Sequence, residues 1–132
     1  MTQDLFWLTL TILLTALMWV PYVLNRIAAW GLMEAMANPA PDTPPVPAWA
    51  VRAKLAHQNA IENLAVFAAL VFAVHIAGAG SPLTATASMV YFFARAGHFL
   101  IYSLGVPVLR TLLFAVGFAA QMALVLRLLG IV

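Results

Sequence analysis

Arg52-Ala53-Lys54-Leu55-Ala56-His57-Gln58-Asn59-Ala60-Ile61-Glu62-Asn63 opens an apolar run that continues to Ile76. At about 100° per residue on a helix, Arg52, Asn59 and Asn63 fall in one narrow arc, and Glu62 lies about 60° to the side of Asn59. A charge at mid-helix in lipid costs about 2.5–3.5 kcal/mol on insertion scales, so such a stripe has to face protein or a polar cavity. The next apolar run repeats the device. In Ala94-Arg95-Ala96-Gly97-His98, followed by Tyr102, the residues Arg95, His98 and Tyr102 stand at i, i+3 and i+7, again one face. Two such stripes predict a polar site inside a helical bundle or between subunits.

The rest of the chain suits a bilayer. Of 132 residues 65% are hydrophobic and 8% charged, and the mean hydropathy is +1.02. A helical span takes roughly 20 apolar residues. Four segments qualify on the sequence, about 5–30, 47–76, 83–104 and 106–129, separated by a proline-rich stretch, Gly78-Ala79-Gly80-Ser81-Pro82, and Gly105-Val106-Pro107. They nearly exhaust the chain. The expected fold is therefore an all-α membrane protein, a single domain of four transmembrane helices over residues 1–132. The first segment carries Asp4, no preceding Lys or Arg and no A-x-A-like cleavage site, so it is expected to be a retained span rather than a signal peptide.

Arg26, Arg52 and Lys54 flank the first loop and Arg110 follows the third, against Arg127 alone on the other side. The positive-inside rule places the first and third loops in the cytoplasm, and the brevity and style of the sequence suit a bacterial inner membrane. A net charge of +2 is too small to imply a nucleic-acid partner, and the lack of cysteine excludes disulfides, thiolate metal sites and a cysteine nucleophile. No metal is expected, because the three histidines do not share a face at ligand spacing. Asn38 to Pro47 cannot be helical and reads as a semi-rigid connector, or as a lid over a site on the cytoplasmic side.

Each polar residue also has a plain structural reading. Arg52 and Lys54 are placed to snorkel at a helix end. Asn59 and Asn63 suit hydrogen bonds between helices, and Glu62 with Arg95 suits a buried ion pair. His57 and His75 lie on the face opposite Arg52 and read as interfacial. Arg110 differs, because Pro107 can occupy the first turn of the fourth helix. That puts the guanidinium beside a positive helix terminus, where an anion or a thiolate is stabilised and a thiol pKa falls. Thr111 adds a hydroxyl beside it, and a positive-inside anchor is the alternative for Arg110.

Ala37-Asn38-Pro39, Arg52 with Ala56 to Asn63, Ala94 to His98 with Tyr102, and Gly105-Val106-Pro107-Val108-Leu109-Arg110 occur in an order that resembles the membrane-associated proteins in eicosanoid and glutathione metabolism, the MAPEG family. The resemblance covers essentially the whole chain, and its paired motifs in the second and third helices are the specific part. It implies a homotrimer of four-helix protomers with glutathione bound between neighbours. It further implies that Arg52, Asn59 and Glu62 help hold glutathione, that Arg95, His98 and Tyr102 form the opposing wall, and that Arg110, with Thr111 beside it, stabilises the thiolate. Glutathione's two carboxylates and ammonium suit arginines and a glutamate.

The chain departs from the family pattern in places. Leu55 stands where several members carry an arginine, and Gln58 where the prostaglandin synthase pattern has another basic residue. Arg26 lies a turn or more before the expected basic position in the first helix, where Trp30 and Glu34 are the nearest matches, and Tyr102 to Arg110 is one residue short of the eukaryotic transferases. A charged hydrogen bond contributes about 1.5–3 kcal/mol, so losing two or three lowers affinity by several decades.

Three functions follow from these residues. The first is a glutathione-dependent membrane enzyme of the transferase or peroxidase type, acting on a hydrophobic electrophile or lipid hydroperoxide that arrives from the bilayer. The second is a non-catalytic scaffold or accessory subunit that keeps the fold. The third is a small transporter working through Glu62, which the lack of a second broken helix disfavours.

Overall fold

Proline and glycine place the breaks in the chain's helices. The computed structural model describes residues 1–132 and contains helices α1 (Gln3–Leu17), α2 (Trp19–Trp30), α3 (Leu32–Met36), α4 (Ala48–Ile76), α5 (Pro82–Leu104) and α6 (Pro107–Leu128). The run expected as one segment over 5–30 is interrupted at Met18. Pro21 is the cause: it lacks an amide hydrogen and its ring crowds the carbonyl of Leu17, the residue four before it. α2 stops at Gly31, whose φ of 83° continues no helix. The single turn of α3 then gives way to the prolines of the linker, and Pro47 caps α4 from an extended backbone.

The remaining boundaries are equally local. Ser81 starts α5 with a capping box, its hydroxyl accepting from the Thr84 amide while the Thr84 hydroxyl accepts from the Ser81 amide, and Pro82 fills the first turn. α5 closes at left-handed Gly105, where the Val106 amide bonds the Ile101 carbonyl and the Gly105 amide bonds that of Tyr102. Pro107 opens α6.

Gln3–Trp30, taken across its kink, Ala48–Ile76 and Pro107–Leu128 are each long and apolar enough to cross a membrane. The threonine hydroxyls inside the first of these are satisfied locally: those of Thr9, Thr11 and Thr15 donate to carbonyls four residues earlier. α5 has the length, with 23 residues, but Arg95, His98 and its hydroxyl residues make it less apolar than the others. It is also the central element, packed against α1, α4 and α6.

The helices run up and down between two ends. One end holds the linker and the Gly105 turn, and the other holds the N-terminus, the turn at Ala77–Ser81 and the C-terminus. Toward the N-terminal end, Leu8, Phe67, Val71, Val74, Ala87, Tyr91, Ala120 and Leu124 form the buried apolar core. Phe67 and Tyr91 stack at a ring-centroid distance of 3.8 Å. Toward the linker end, α4 buries only Ala50, Ala53, Ala56 and Ala60. Those small side chains leave room for longer polar ones.

Candidate functional site

The polar line of α4 meets the polar line of α5 at Asn59. Arg95 Nη2 donates to Asn59 Oδ1 at 2.6 Å, across the α4–α5 contact. Arg95 and His98 are both buried, and Asn59 partly so. Asn63 is held on its own helix, donating from Nδ2 to the Asn59 carbonyl at 2.9 Å. The ion pair open to Glu62 and Arg95 on the sequence is not the arrangement found. Arg95 is turned to Asn59, while Glu62 lies exposed on the flank of α4. Its 60° offset from Asn59 on the helical wheel is the physical reason.

Arg52 reaches the end of α5, donating from Nε to the Ser103 carbonyl at 3.1 Å. That carbonyl belongs to the last turn of a helix, where acceptors lack intrahelical donors and carry the negative end of the dipole. The guanidinium packs so tightly over the α5 terminus that a Cβ on Gly105 would meet Arg52 Cζ at 3.1 Å. Gly105 is thus required twice, for its left-handed φ of 81° and for this approach.

On the α6 side, the His98 ring packs edge-on against Tyr102 at 5.6 Å, and the Arg110 guanidinium lies over the Tyr102 ring, 4.4 Å from its centroid. Such a cation–π contact fixes the arginine while leaving its donors free to bond elsewhere. Arg110 sits in the opening turn of α6, as Pro107 predicted. Thr111 is exposed, and its hydroxyl donates back to the Pro107 carbonyl at 3.1 Å.

The structure therefore joins Arg52, Asn59, Arg95, His98, Tyr102 and Arg110 near the linker end of α4, α5 and α6, and leaves Glu62 and Thr111 on the protomer surface. Two buried nitrogens in this group, Arg95 Nε and His98 Nδ1, have no hydrogen-bond partner within the chain. Buried polar atoms are rarely left so; atoms of Asp4, Asn25, Arg26, Ser88 and Tyr91 share this state elsewhere in the chain.

Some partners went unread in the sequence. Gln121 is buried on α6 and donates to the Asn63 carbonyl at 3.2 Å, tying α6 to α4. A lone amide in an apolar helix was the available signal. His57 pairs with the Tyr22 hydroxyl at 2.8 Å, linking α2 to α4, whereas His75 is exposed. The Ser103 carbonyl gave no signal at all, being backbone.

Residues 4–130 match the family model of the MAPEG family, nearly the whole chain. The chain belongs to the MAPEG family. No curated protein and no solved structure is similar enough to add to that match. Membership makes the chain a membrane protein of a family concerned with glutathione and eicosanoid metabolism, whose members generally use glutathione and include some that are not catalysts.

Proposed function

We propose that this MAPEG protein is a glutathione-dependent membrane enzyme of the transferase or peroxidase type. The observation that carries the proposal is Arg110: a fixed guanidinium stacked on Tyr102 in the first turn of α6, beside buried His98 and Arg95. The donor set fits glutathione. Arg52 and Arg95 suit its carboxylates, Glu62 suits its ammonium, and the unpartnered Arg95 Nε and His98 Nδ1 suit further polar contacts. When bound, glutathione supplies the thiol that adds to a hydrophobic electrophile or reduces a lipid hydroperoxide. The charge of Arg110 and the α6 terminus favour the thiolate, so no protein nucleophile is called for. Thr111 can position a group at the same mouth by accepting a hydrogen bond while its own hydrogen stays on Pro107.

Exposed Glu62, with exposed Gln58 about a turn before it, lies along a helix apolar enough to cross a membrane. Lipid disfavours a carboxylate there. We therefore take the protomer to span the membrane four times, with α5 as the shielded fourth span, and to assemble as a homotrimer in which a neighbour covers Glu62 and completes the site. The basic end bearing Arg26, Arg52, Lys54 and Arg110 faces the cytoplasm in this proposal, and the membrane is a bacterial inner membrane.

Calorimetry with glutathione on the detergent-solubilised oligomer tests it. Saturable binding tighter than about 1 mM, near −4 kcal/mol, and weakened by Arg110→Ala and Glu62→Gln, is the expected result. Turnover of Arg110→Ala should fall by about 10²–10³, the loss seen when one donor to a developing anion is removed, while the oligomer persists. Undiminished turnover would end the thiolate role. A non-catalytic scaffold is the second reading, favoured by the engagement of Arg52 and Arg95 inside the protomer. It would be supported by an intact oligomer that binds no glutathione and in which Glu62→Gln alters only melting.

A further inference from the structure

A cavity of about 650 Å³ lies at the linker end, lined by Arg26, Trp30, Glu34, Asn38, Asp42 and Thr43 among others. That size is within the roughly 300–1,000 Å³ of small-molecule sites. None of its lining residues belongs to the polar cluster around Asn59, Arg95 and Arg110. Its outer wall is a built turn, with the Thr43 hydroxyl accepting from the Ala40 amide at 2.8 Å and the Thr43 amide donating to the Ala40 carbonyl at 3.0 Å. On the helical side the Arg26 guanidinium lies over the Trp30 ring, 5.4 Å from its centroid, and its Nε is buried without a partner. A smaller cavity of about 250 Å³ shares Arg26 and Val46 and adds Tyr22 and Lys54.

The charges are segregated. Arg26 and Lys54 stand on the α2–α4 side, whereas Glu34 and Asp42 line the part of the cavity formed by α3 and the linker. A ligand that carries both signs matches this, and a ligand with only anionic groups would set one of them against the carboxylates. Trp30 is the single aromatic ring among the lining residues of the larger cavity, and Arg26 lies over one of its faces, so the cavity offers no cage of several aromatic faces, the usual receptor of a quaternary ammonium. A primary ammonium, by contrast, can donate to Glu34 and Asp42. The surroundings point to the membrane as the source. Leu32, Met33 and Met36 of α3 are each more than half exposed, and Trp30 and Trp49 stand at the ends of spanning helices, the usual interfacial depth of tryptophan.

We propose that these two cavities, joined at Arg26 and Val46, bind the headgroup of a phospholipid bearing a phosphate and a primary ammonium, the phosphate on Arg26 and on Lys54 of the smaller cavity and the ammonium on Glu34 and Asp42 of the larger, with the acyl chains along α3.

Native mass spectrometry on protein exchanged into equal mixtures of phosphatidylethanolamine, phosphatidylcholine and phosphatidylglycerol of one acyl composition tests the proposal. Wild type should retain the ethanolamine lipid over the other two by about tenfold, the scale of one charge-assisted contact. The pair Glu34→Gln/Asp42→Asn, both exposed positions, should bring retention to parity with phosphatidylcholine, whereas Arg26→Gln, which removes a contact to the phosphate that all three lipids share, should lower retention of all three. Should Arg26→Gln fail to fold, the carboxylate pair decides alone. Glu62→Gln, outside the cavity, should leave retention unchanged. Millimolar glycerophosphoethanolamine should compete only weakly, because it lacks the chains. Complete displacement by it would replace the lipid by a soluble phosphate ester, and displacement by glutathione would give the cavity to the thiol peptide. Either result, or equal retention of all three lipids by wild type, overturns the proposal.

Discussion

Where α4 and α5 meet toward the N-terminal end, Phe67 and Tyr91 stack face to face. On the same two helices, eight residues before Phe67 and four after Tyr91, Asn59 and Arg95 meet through a hydrogen bond instead. Lipid tails are as apolar as the helix surfaces, so helices in a bilayer are joined by close packing and by polar contacts rather than by expulsion from water. The protein uses both, in separate places. Shape complementarity holds the half built on Leu8, Phe67, Val71 and Leu124. The other half is held by directed bonds from Arg52 and Arg95, with the Gln121 bond at the boundary between the two; Arg95 Nε and His98 Nδ1 are unpartnered there, as the Ser88 and Tyr91 hydroxyls are in the packed half. The first half is suited to fixing the bundle, and the second to binding a ligand at the cost of some stability.

The division can be broken most severely from the packed side. Phe67→Ala should lower stability by about 3–5 kcal/mol, since removing a fully buried aromatic forfeits its contacts and leaves a cavity. Thermal unfolding in detergent would show this, and glutathione affinity measured well below the transition should stay near wild type. A large change in affinity would mean that the halves are coupled. A smaller effect is expected at the Arg52 contact. Gly105→Ala should cost about 1–2 kcal/mol for the left-handed backbone and also displace Arg52, so a fall in both melting temperature and glutathione affinity is expected. A loss of stability alone would detach Arg52 from the ligand. Smaller again is the Asn59–Arg95 bond. A double-mutant cycle with Asn59→Ala and Arg95→Leu should return a coupling of about 0.6–1.7 kcal/mol, the average and maximum of such cycles for polar pairs inside a membrane bundle. A coupling near zero would make the 2.6 Å bond incidental.

The sequence carried the two halves unequally. Helix ends were legible because Ser81, Pro82, Gly105 and Pro107 act through local chemistry, and so was the shared face of Arg95, His98 and Tyr102, which is angular geometry within one helix. The kink at Met18 needed Pro21 to be weighed against a long apolar run, and apolarity hid it. What a helix wheel cannot give is which partner a side chain takes across a contact. Asn59 and Glu62 were both open to Arg95, and only the packing of α4 on α5 chose Asn59. The contact of Arg52 with Ser103 has a carbonyl on one side, and every residue has one of those. The stacking of Phe67 on Tyr91 likewise left no mark, because Tyr91 is followed at once by Phe92 and Phe93 and three adjacent aromatics do not say which one faces α4.

The subtlest test concerns Tyr102, which touches His98 on one side and Arg110 on the other. Two properties of the residue are separable. Its ring supplies the face on which the Arg110 guanidinium rests, and its hydroxyl supplies a donor to any bound ligand. Tyr102→Phe keeps the ring and removes the hydroxyl, whereas Tyr102→Leu removes both. A cation–π contact at a partly exposed site contributes about 0.5–1 kcal/mol, equivalent to a twofold to fivefold change in affinity. If the ring positions Arg110, glutathione affinity should fall by about that factor in Tyr102→Leu and hold in Tyr102→Phe, with the apolar half unaffected and melting temperatures equal. Equal losses in both variants would move the contribution to the hydroxyl, and Tyr102 would then be a ligand contact in its own right. No loss in either would show that the first turn of α6 alone orients Arg110, making the backbone started by Pro107 the element that builds this side of the site.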